Sequence, residues 1–254
     1  MIAAPPAFSR AQSPAPDPAH SAAGPPPFTF SSTFSAPFNQ HDSQVPAFSY
    51  FPPSRVDRFF EEGSDVPRAE IQAELFGAFF DRLGSHFPFL TRQGVDRLNH
   101  GDPSATVDAP MLINAVCALG ARFASSDAVR GPDRGLSPAL YGVPFADKAK
   151  AMLVPLLGYP STRTVQSLIL LSWHEFGLNN DGVFWSFVGM ALRMAQDLGL
   201  HLDIEHPHAD RRELAVDRLT WWAVVGLDRM LSLGTGRPVT IKSHEITVQS
   251  LDLS

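Results

Sequence analysis

Apolar side chains recur at steps of three and four along most of the chain beyond Pro67, the spacing that predicts helices with one buried face. The stretch 182–200 shows it most clearly. There two adjoining stripes make an apolar face wider than a surface helix needs, formed by Phe184, Phe187, Val188, Ala191, Met194, Ala195 and Leu198. Gly199 is placed to end this helix as a left-handed cap, and Arg193 and Asp197 are placed to pair across one turn. We therefore expect 182–200 to be the central packing helix.

Other helices are predicted from the same spacing and from their end signals. Pro67 and Pro110 are placed to open two of them, and Ser161 or Thr162 can cap a third. The helices are expected over about 68–87, 110–125, 145–157, 162–178 and 209–234. A short polar turn at 179–182 makes two consecutive helices an antiparallel pair. No stretch predicts a strand ladder, although 239–248 alternates weakly, so the predicted class is all-α, a bundle or array of antiparallel helix pairs.

The segment 1–66 has a different composition. It carries about half of the chain's 23 prolines, with Ser, Ala and isolated phenylalanines, and it shows no helical or strand period. We predict a disordered linker here, and the phenylalanines leave open an interaction or activation segment. The folded domain is expected to occupy 67–254.

Composition excludes several classes of protein. The net charge of −6 argues against binding nucleic acid through a general basic field. A single cysteine, Cys117, excludes an internal disulfide and a zinc site built on paired cysteines. Cys117 lies in an apolar run and is expected to pack as a small hydrophobe. No apolar run is long enough to span a bilayer.

Catalytic and metal-binding motifs are weak throughout. His201, His206 and His208 lie close together, but Pro207 interrupts them and a solvated loop is the preferred interpretation. His174 has no second histidine four residues on, so a core or rim histidine with satisfied hydrogen bonds is expected. No nucleophile motif is present. We predict that the protein is not an enzyme and that it holds no catalytic, cofactor-binding or metal-binding residue.

The helix predicted near the C-terminus carries charges on a largely apolar surface. A charge buried there needs a partner. We predict one polar and aromatic node, structural first and a candidate switch second, formed by Arg218, Trp221, Trp222, Asp228, Arg229 and Arg237. Gly234 and Gly236 are expected to stop the helix, with Arg237 folding back on a carboxylate or on helix-end carbonyls.

Two ordered segments carry a family resemblance. The segment 185–203, W-x3-GMALRMAQDLGLHLD, and the segment 218–238, RLTWWAVVGLDRMLSLGTGRP, resemble the signatures of the fungal-specific transcription factor domain. This domain is the middle homology region of fungal zinc-cluster regulators. Within the family, the segments most resemble the xylanolytic-activator type. FFDRLGSHFPFL at 79–90 and the Leu-rich stretch 165–171 fit the same domain in order, so the resemblance covers about 67–248.

The resemblance implies a nuclear, helical regulatory domain that acts in RNA polymerase II transcription. Its implied partners are the transcription machinery or co-regulator proteins, with a homodimer and a small-molecule inducer as further candidates. DNA and zinc binding belong to the family's six-cysteine cluster. This chain lacks that cluster, so neither property is carried onto any residue here. Family members continue well beyond the Gly-Arg-Pro turn, so the domain is expected to be C-terminally incomplete. A helical interaction module unrelated to transcription, a dominant-negative regulator and an enzyme using the histidine-rich loop stay open as alternatives.

Overall fold

The computed structural model of the chain describes residues 56–99, 106–131, 136–203 and 210–248. Within these ranges the protein has eight α-helices and no β-strand, which confirms the predicted all-α class. The helices are α1 (Ala69–Leu83), α2 (Arg92–Asn99), α3 (Ala109–Gly120), α4 (Asp127–Arg130), α5 (Val143–Leu156), α6 (Thr162–Phe176), α7 (Asp181–Asp197) and α8 (Arg211–Thr235). Of the predicted linker, residues 1–55 lie outside the described part of the chain.

Local sequence signals set several helix ends. The Ser161 hydroxyl accepts the backbone N–H of Thr164 at 3.1 Å and caps α6, as its sequence position predicts. Gly199 adopts φ 74° beyond α7, and the backbone N–H of Leu200 donates to the Ala195 carbonyl at 3.0 Å. This left-handed Gly cap satisfies carbonyls that the helix leaves without partners. At the end of α8 the left-handed residue is Gly236 rather than Gly234.

The centre of the fold is α3, not α7 as the sequence predicts. Every residue of α3 except Pro110 is buried, and this helix packs against α1, α5 and α6. A Cβ at Gly120 would lie 2.2 Å from the Leu75 carbonyl oxygen, so α1 and α3 touch backbone to backbone at that point. Cys117 is fully buried in the same helix, as expected for a cysteine that packs as a small hydrophobe.

The packed part of the chain includes residues ahead of the predicted boundary at 66. Phe59 and Phe60 are buried, with ring centroids 5.1 and 5.9 Å from that of Phe145. The Asn114 amide donates to the Asp65 carbonyl at 2.7 Å and ties this segment to α3. The carboxylate of Asp65 pairs with Lys148 at 3.0 Å and adds a second link to the packed body. The apolar pattern does not reveal these contacts, because two phenylalanines in a short irregular segment have no period.

Helices α6 and α7 form the most extensive helix pair and are joined by the four residues 177–180. Both α6 and α7 also pack against α8. None of the helices in the described ranges combines the length and the apolar character needed to cross a membrane.

Candidate functional site

The buried carboxylate of Asp228 ties the chain beyond α8 back onto that helix. Asp228 is 1% exposed and accepts the backbone N–H groups of Thr240 and Ile241, each at 3.1 Å. Arg229 completes the arrangement, because its guanidinium lies 3.4 Å from the Asp228 carboxylate and donates to the Ile241 carbonyl at 2.8 Å. We call Asp228, Arg229, Thr240 and Ile241 the C-terminal clip. Its bonds to an ionised carboxylate are of the stronger kind.

A glycine makes the clip possible. Gly236 adopts φ 69°, and its N–H donates to the Ser232 carbonyl at 3.0 Å, so the chain turns sharply at the end of α8. After this reversal, Ile241 is fully buried and Asp228 reaches the backbone beside it. The clip therefore depends on a carboxylate, an arginine and a left-handed glycine set at fixed spacing in one segment.

Further along, the chain is anchored to the start of the α7–α8 connection. The His201 carbonyl accepts the N–H groups of Thr247 and Val248, both at 3.1 Å. The ring of His201 lies 5.6 Å from that of Trp221, which is 1% exposed. The indole N–H of Trp221 has no hydrogen-bond partner among the described residues, so this side chain contributes mainly by burial.

The other predicted charges lie elsewhere on the surface. Arg218 pairs with Asp203 at 3.3 Å, and both side chains are about two-fifths exposed, at 40% and 43%. Such an exposed pair contributes little to stability. Trp222 is half-buried against the core. Among the described residues, no carboxylate or helix-end carbonyl bonds to Arg237; its guanidinium stacks 5.1 Å above the indole of Trp185 on α7.

The six predicted residues are thus distributed over several contacts. The structure brings Asp228 and Arg229 together in the clip, places Trp221 against His201, pairs Arg218 with Asp203, and stacks Arg237 on α7. These residues are close in sequence but make different contacts, because one long helix and its exit loop touch three different neighbours.

A groove of about 690 Å³ lies between α7 and α8 beside the clip. Asp228 and Thr240 are among its lining residues, so the clip forms part of its wall. The remaining lining is mostly apolar and comes from both exposed and buried residues of α7, from Leu231 of α8 and from the residues after α5. It includes Leu157, Pro160, Trp185, Val188, Gly189, Met190, Leu192 and Met194. Trp185 is 49% exposed and Met190 is 37% exposed, so the groove is open to solvent. We call this feature the α7–α8 groove.

Sequence reasoning missed this face because it treated the helix as a central packing element and read the strip outside its apolar stripes only as an Arg193–Asp197 pair. The signal is present in the spacing: Trp185, Gly189 and Arg193 lie four apart, on the side opposite the buried stripe. A tryptophan on that side is unusual for a solvated surface. Arg193 and Asp197, predicted to pair, have no ion-pair partner in the part of the chain described, and both line the groove.

A second polar cluster includes two buried residues of the last turn of α6. His174 is fully buried, and neither ring nitrogen has a hydrogen-bond partner among the described residues, so the expected satisfied histidine is not what the structure shows. Burial, with Arg122 and Lys150 nearby, lowers its pKa to about 3. The adjacent Glu175 is bonded, because it accepts from Lys150 at 3.1 Å and from Asn180 at 2.8 Å. This cluster is a feature of the core and does not open to the groove residues.

Metal chemistry finds no support among the described residues, where no group of three His, Cys, Asp or Glu side chains is arranged to hold an ion. Of the histidine-rich loop, His201 is described and contacts Trp221, whereas His206 and His208 lie outside the described residues.

Comparison with known proteins finds fungal transcription regulators. The chain is 32% identical over 201 residues to the Zn(2)-C6 fungal-type transcription factor FTF1c of Fusarium oxysporum, covering 74% of this chain and 20% of that protein. It is 33% identical over 182 residues to the nitrogen assimilation transcription factor nit-4 of Neurospora crassa, covering 66% of this chain and 16% of the relative. An uncharacterized transcriptional regulatory protein, C3C7.04 of Schizosaccharomyces pombe, is 27% identical over 214 residues, covering 80% of this chain and 27% of the relative.

These matches are to transcription factors rather than enzymes, and the chain spans about one fifth of the length of the first of them. No solved structure matches the chain. The model of the fungal specific transcription factor domain matches residues 77–253, a range that holds the second half of α1 and all of the later helices, together with the clip and the groove. The chain therefore belongs to the fungal specific transcription factor domain family.

Proposed function

We propose that the chain regulates transcription by RNA polymerase II in the nucleus, as the regulatory domain of a zinc-cluster-type transcription factor. The observation that carries the proposal is that the family match covers nearly the whole folded body, including an open apolar groove and the clip that walls it. A protein that acts by contacts needs such an accessible surface, and exposed apolar patches of this kind are typical of interaction sites.

DNA contact in this proposal depends on a zinc-cluster domain and not on the residues described. Cys117 is the chain's single cysteine, and it is buried and unpaired within α3. Zinc bound by clustered cysteines would have to come with that separate domain. The contribution of the present chain is then to receive a signal and to contact other proteins.

The partners we propose are components of the transcription machinery or co-regulator proteins. The α7–α8 groove is the surface for this contact, and the C-terminal clip sets the position of its wall through Asp228 and Thr240. A homodimer and a small-molecule inducer are the other occupants to be tested.

The test joins the full chain to a heterologous DNA-binding domain and measures transcript from a matched reporter in a fungal host. The expected result is a change in reporter transcript relative to the DNA-binding domain alone, together with nuclear accumulation of the fusion. Replacing Gly189 with Phe, which fills the groove, is expected to remove the change. Replacing exposed Gly226 with Phe on another face of α8 is the matched control.

A stable fusion that leaves the reporter unchanged would contradict the proposal and would favour a helical interaction module unrelated to transcription. A dominant-negative role has a separate signature. The free chain, without any DNA-binding domain, would then suppress the activity of a co-expressed full-length relative.

A further inference from the structure

The outward face of α7 has unusual chemistry for a surface helix. Trp185, Gly189 and Met190 present an apolar strip, and the end of α5 extends it through Leu157, which is 47% exposed. Contiguous apolar surface of this kind is costly in water and marks interaction sites on folded proteins. The face is therefore suited to being covered by a binding partner.

Gly189 lowers the floor of the groove at its middle. A Cβ added there would meet no atom within 4 Å, so the space above the α7 backbone is open. Glycine inside a helix costs about 0.5–1 kcal/mol relative to alanine, so its presence needs another explanation. A glycine at the centre of an exposed face lets a second backbone approach closely.

The groove is long and shallow in a way that suits a helix. From Trp185 to Asp197, α7 advances about 18 Å at 1.5 Å per residue, the length of three helical turns. Small ligands favour enclosed pockets that bury most of their surface. Here Trp185 and Met190 stay 49% and 37% exposed, so the groove is too open to enclose a small ligand. An amphipathic helix with apolar side chains at i, i+4 and i+7 fits such a groove.

The charged residues around the groove indicate which charges the partner helix carries beside its apolar face. Arg193 lines the groove without an acidic partner in the described part of the chain, and Arg237 stacks on Trp185 with one guanidinium nitrogen buried and unbonded. The Asp228 carboxylate is already engaged by the clip. Asp197 lies one turn beyond Arg193, at the far end of the strip. A partner running antiparallel to α7 places its positive helix end beside Asp197 and acidic side chains beside the two arginines.

We propose that the α7–α8 groove binds a three-turn amphipathic helix from a partner protein, with apolar residues on its seam and acidic residues on its flanks. This inference rests on the proposed function only in assigning the partner to transcription; the groove chemistry stands independently. The chain's own segment 1–55 carries only two acidic residues, Asp17 and Asp42, so it supplies no acidic helix of this kind.

The experiment measures fluorescence anisotropy of a labelled synthetic helix of about 15 residues, with Leu and Phe on the seam and Glu on the flanks, binding to the full chain. A second peptide carries Lys in place of every Glu, and a third has the same composition in scrambled order. Protein variants are Gly189→Phe and Arg193→Glu, with Gly226→Phe and Arg212→Glu as controls on exposed positions of α8. Melting curves and sedimentation accompany each variant.

The expected result is saturable binding of the Glu peptide, weakened by at least about tenfold in Gly189→Phe and severalfold in Arg193→Glu. Gly226→Phe and Arg212→Glu should bind as the parent chain does. Binding should fall with added salt, because the charges involved are exposed. If Gly189→Phe fails to melt cooperatively, the Arg193→Glu comparison carries the test.

Equal binding of the Glu and Lys peptides, or undiminished binding by both groove variants, overturns the proposal. So does a concentration-dependent dimer that Gly189→Phe abolishes, since the occupant would then be a second copy of the chain. A reporter effect that persists without peptide binding defeats only this inference. Peptide binding without any reporter effect defeats the proposed function and leaves the helix-binding groove in place.

Discussion

The carboxylate of Asp228 accepts the backbone N–H of Ile241 at 3.1 Å, thirteen positions further along the chain. This contact links a buried charge in the middle of α8 to the segment that walls the α7–α8 groove. Because a buried carboxylate without partners is very costly, the segment cannot leave without exposing or stranding the charge. Stability and the shape of the groove are therefore coupled at this position.

Replacing Asp228 with Ala is expected to lower the free energy of unfolding by about 2–4 kcal/mol, since the substitution removes charge-assisted bonds and leaves backbone N–H groups at Thr240 and Ile241 without their acceptor. Chemical denaturation of the full chain measures the change. Asp203→Ala breaks the exposed pair with Arg218 and should cost less than about 1 kcal/mol. Equal losses for the two variants would show that the clip contributes no more than a surface ion pair.

The pH dependence of stability should report on His174. Burial, assisted by Arg122 and Lys150, lowers its pKa from 6.5 to about 3, so the unfolded chain binds one more proton than the folded chain between these values. The contribution of neutral His174 to the free energy of unfolding is fully present above pH 6.5 and is lost as the pH falls toward 3. The slope is about 1.4 kcal/mol per pH unit. Denaturant titrations between about pH 6 and pH 4 measure it.

His174→Leu should flatten that profile. At pH 7 it should leave stability within about 1 kcal/mol of the parent chain, because the ring nitrogens it removes have no partners to lose. His244→Gln is the control, since the His244 side chain is 77% exposed. A profile that keeps its slope in His174→Leu would assign the pH dependence to other groups.

The backbone contact between α1 and α3 predicts a contrast between two glycines. A Cβ at Gly120 would lie 2.2 Å from the Leu75 carbonyl oxygen, so Gly120→Ala must separate the helices and should cost about 2 kcal/mol or more. At Gly226, on the exposed side of α8, a Cβ meets nothing within 4 Å, and alanine should stabilise by about 0.5–1 kcal/mol. Thermal melts of the two variants should therefore shift in opposite directions; a shared direction would argue against the close approach.

The thiol of Cys117 should resist modification in the native protein. Burial raises the pKa of this thiol, and the side chain is inaccessible within α3. Thiol-specific reagents need the exposed thiolate. We expect labelling of the folded chain to be negligible at neutral pH and complete in denaturant, as measured by mass spectrometry. Rapid labelling without denaturant would indicate that α3 opens, contrary to its central position.

The sequence by itself determined the helical class and several helix ends. Steps of three and four in apolar residues identify helices through purely local geometry, and Ser161 and Gly199 cap helices through contacts within a few residues. The Asp228–Arg229 pair was also predictable, because charges within an apolar helix need partners. Such features depend on short stretches of chain, so one sequence suffices to find them.

Only the tertiary structure decided which helix is central and which face of α7 is open. An apolar stripe says that one side of a helix is covered, but it does not say by which neighbour or how completely. Burial of nearly all of α3, the stacking of Arg237 on Trp185 and the docking of Thr240 against Asp228 each join residues distant in sequence. Those contacts arise from how helices pack against one another, which a local pattern does not encode.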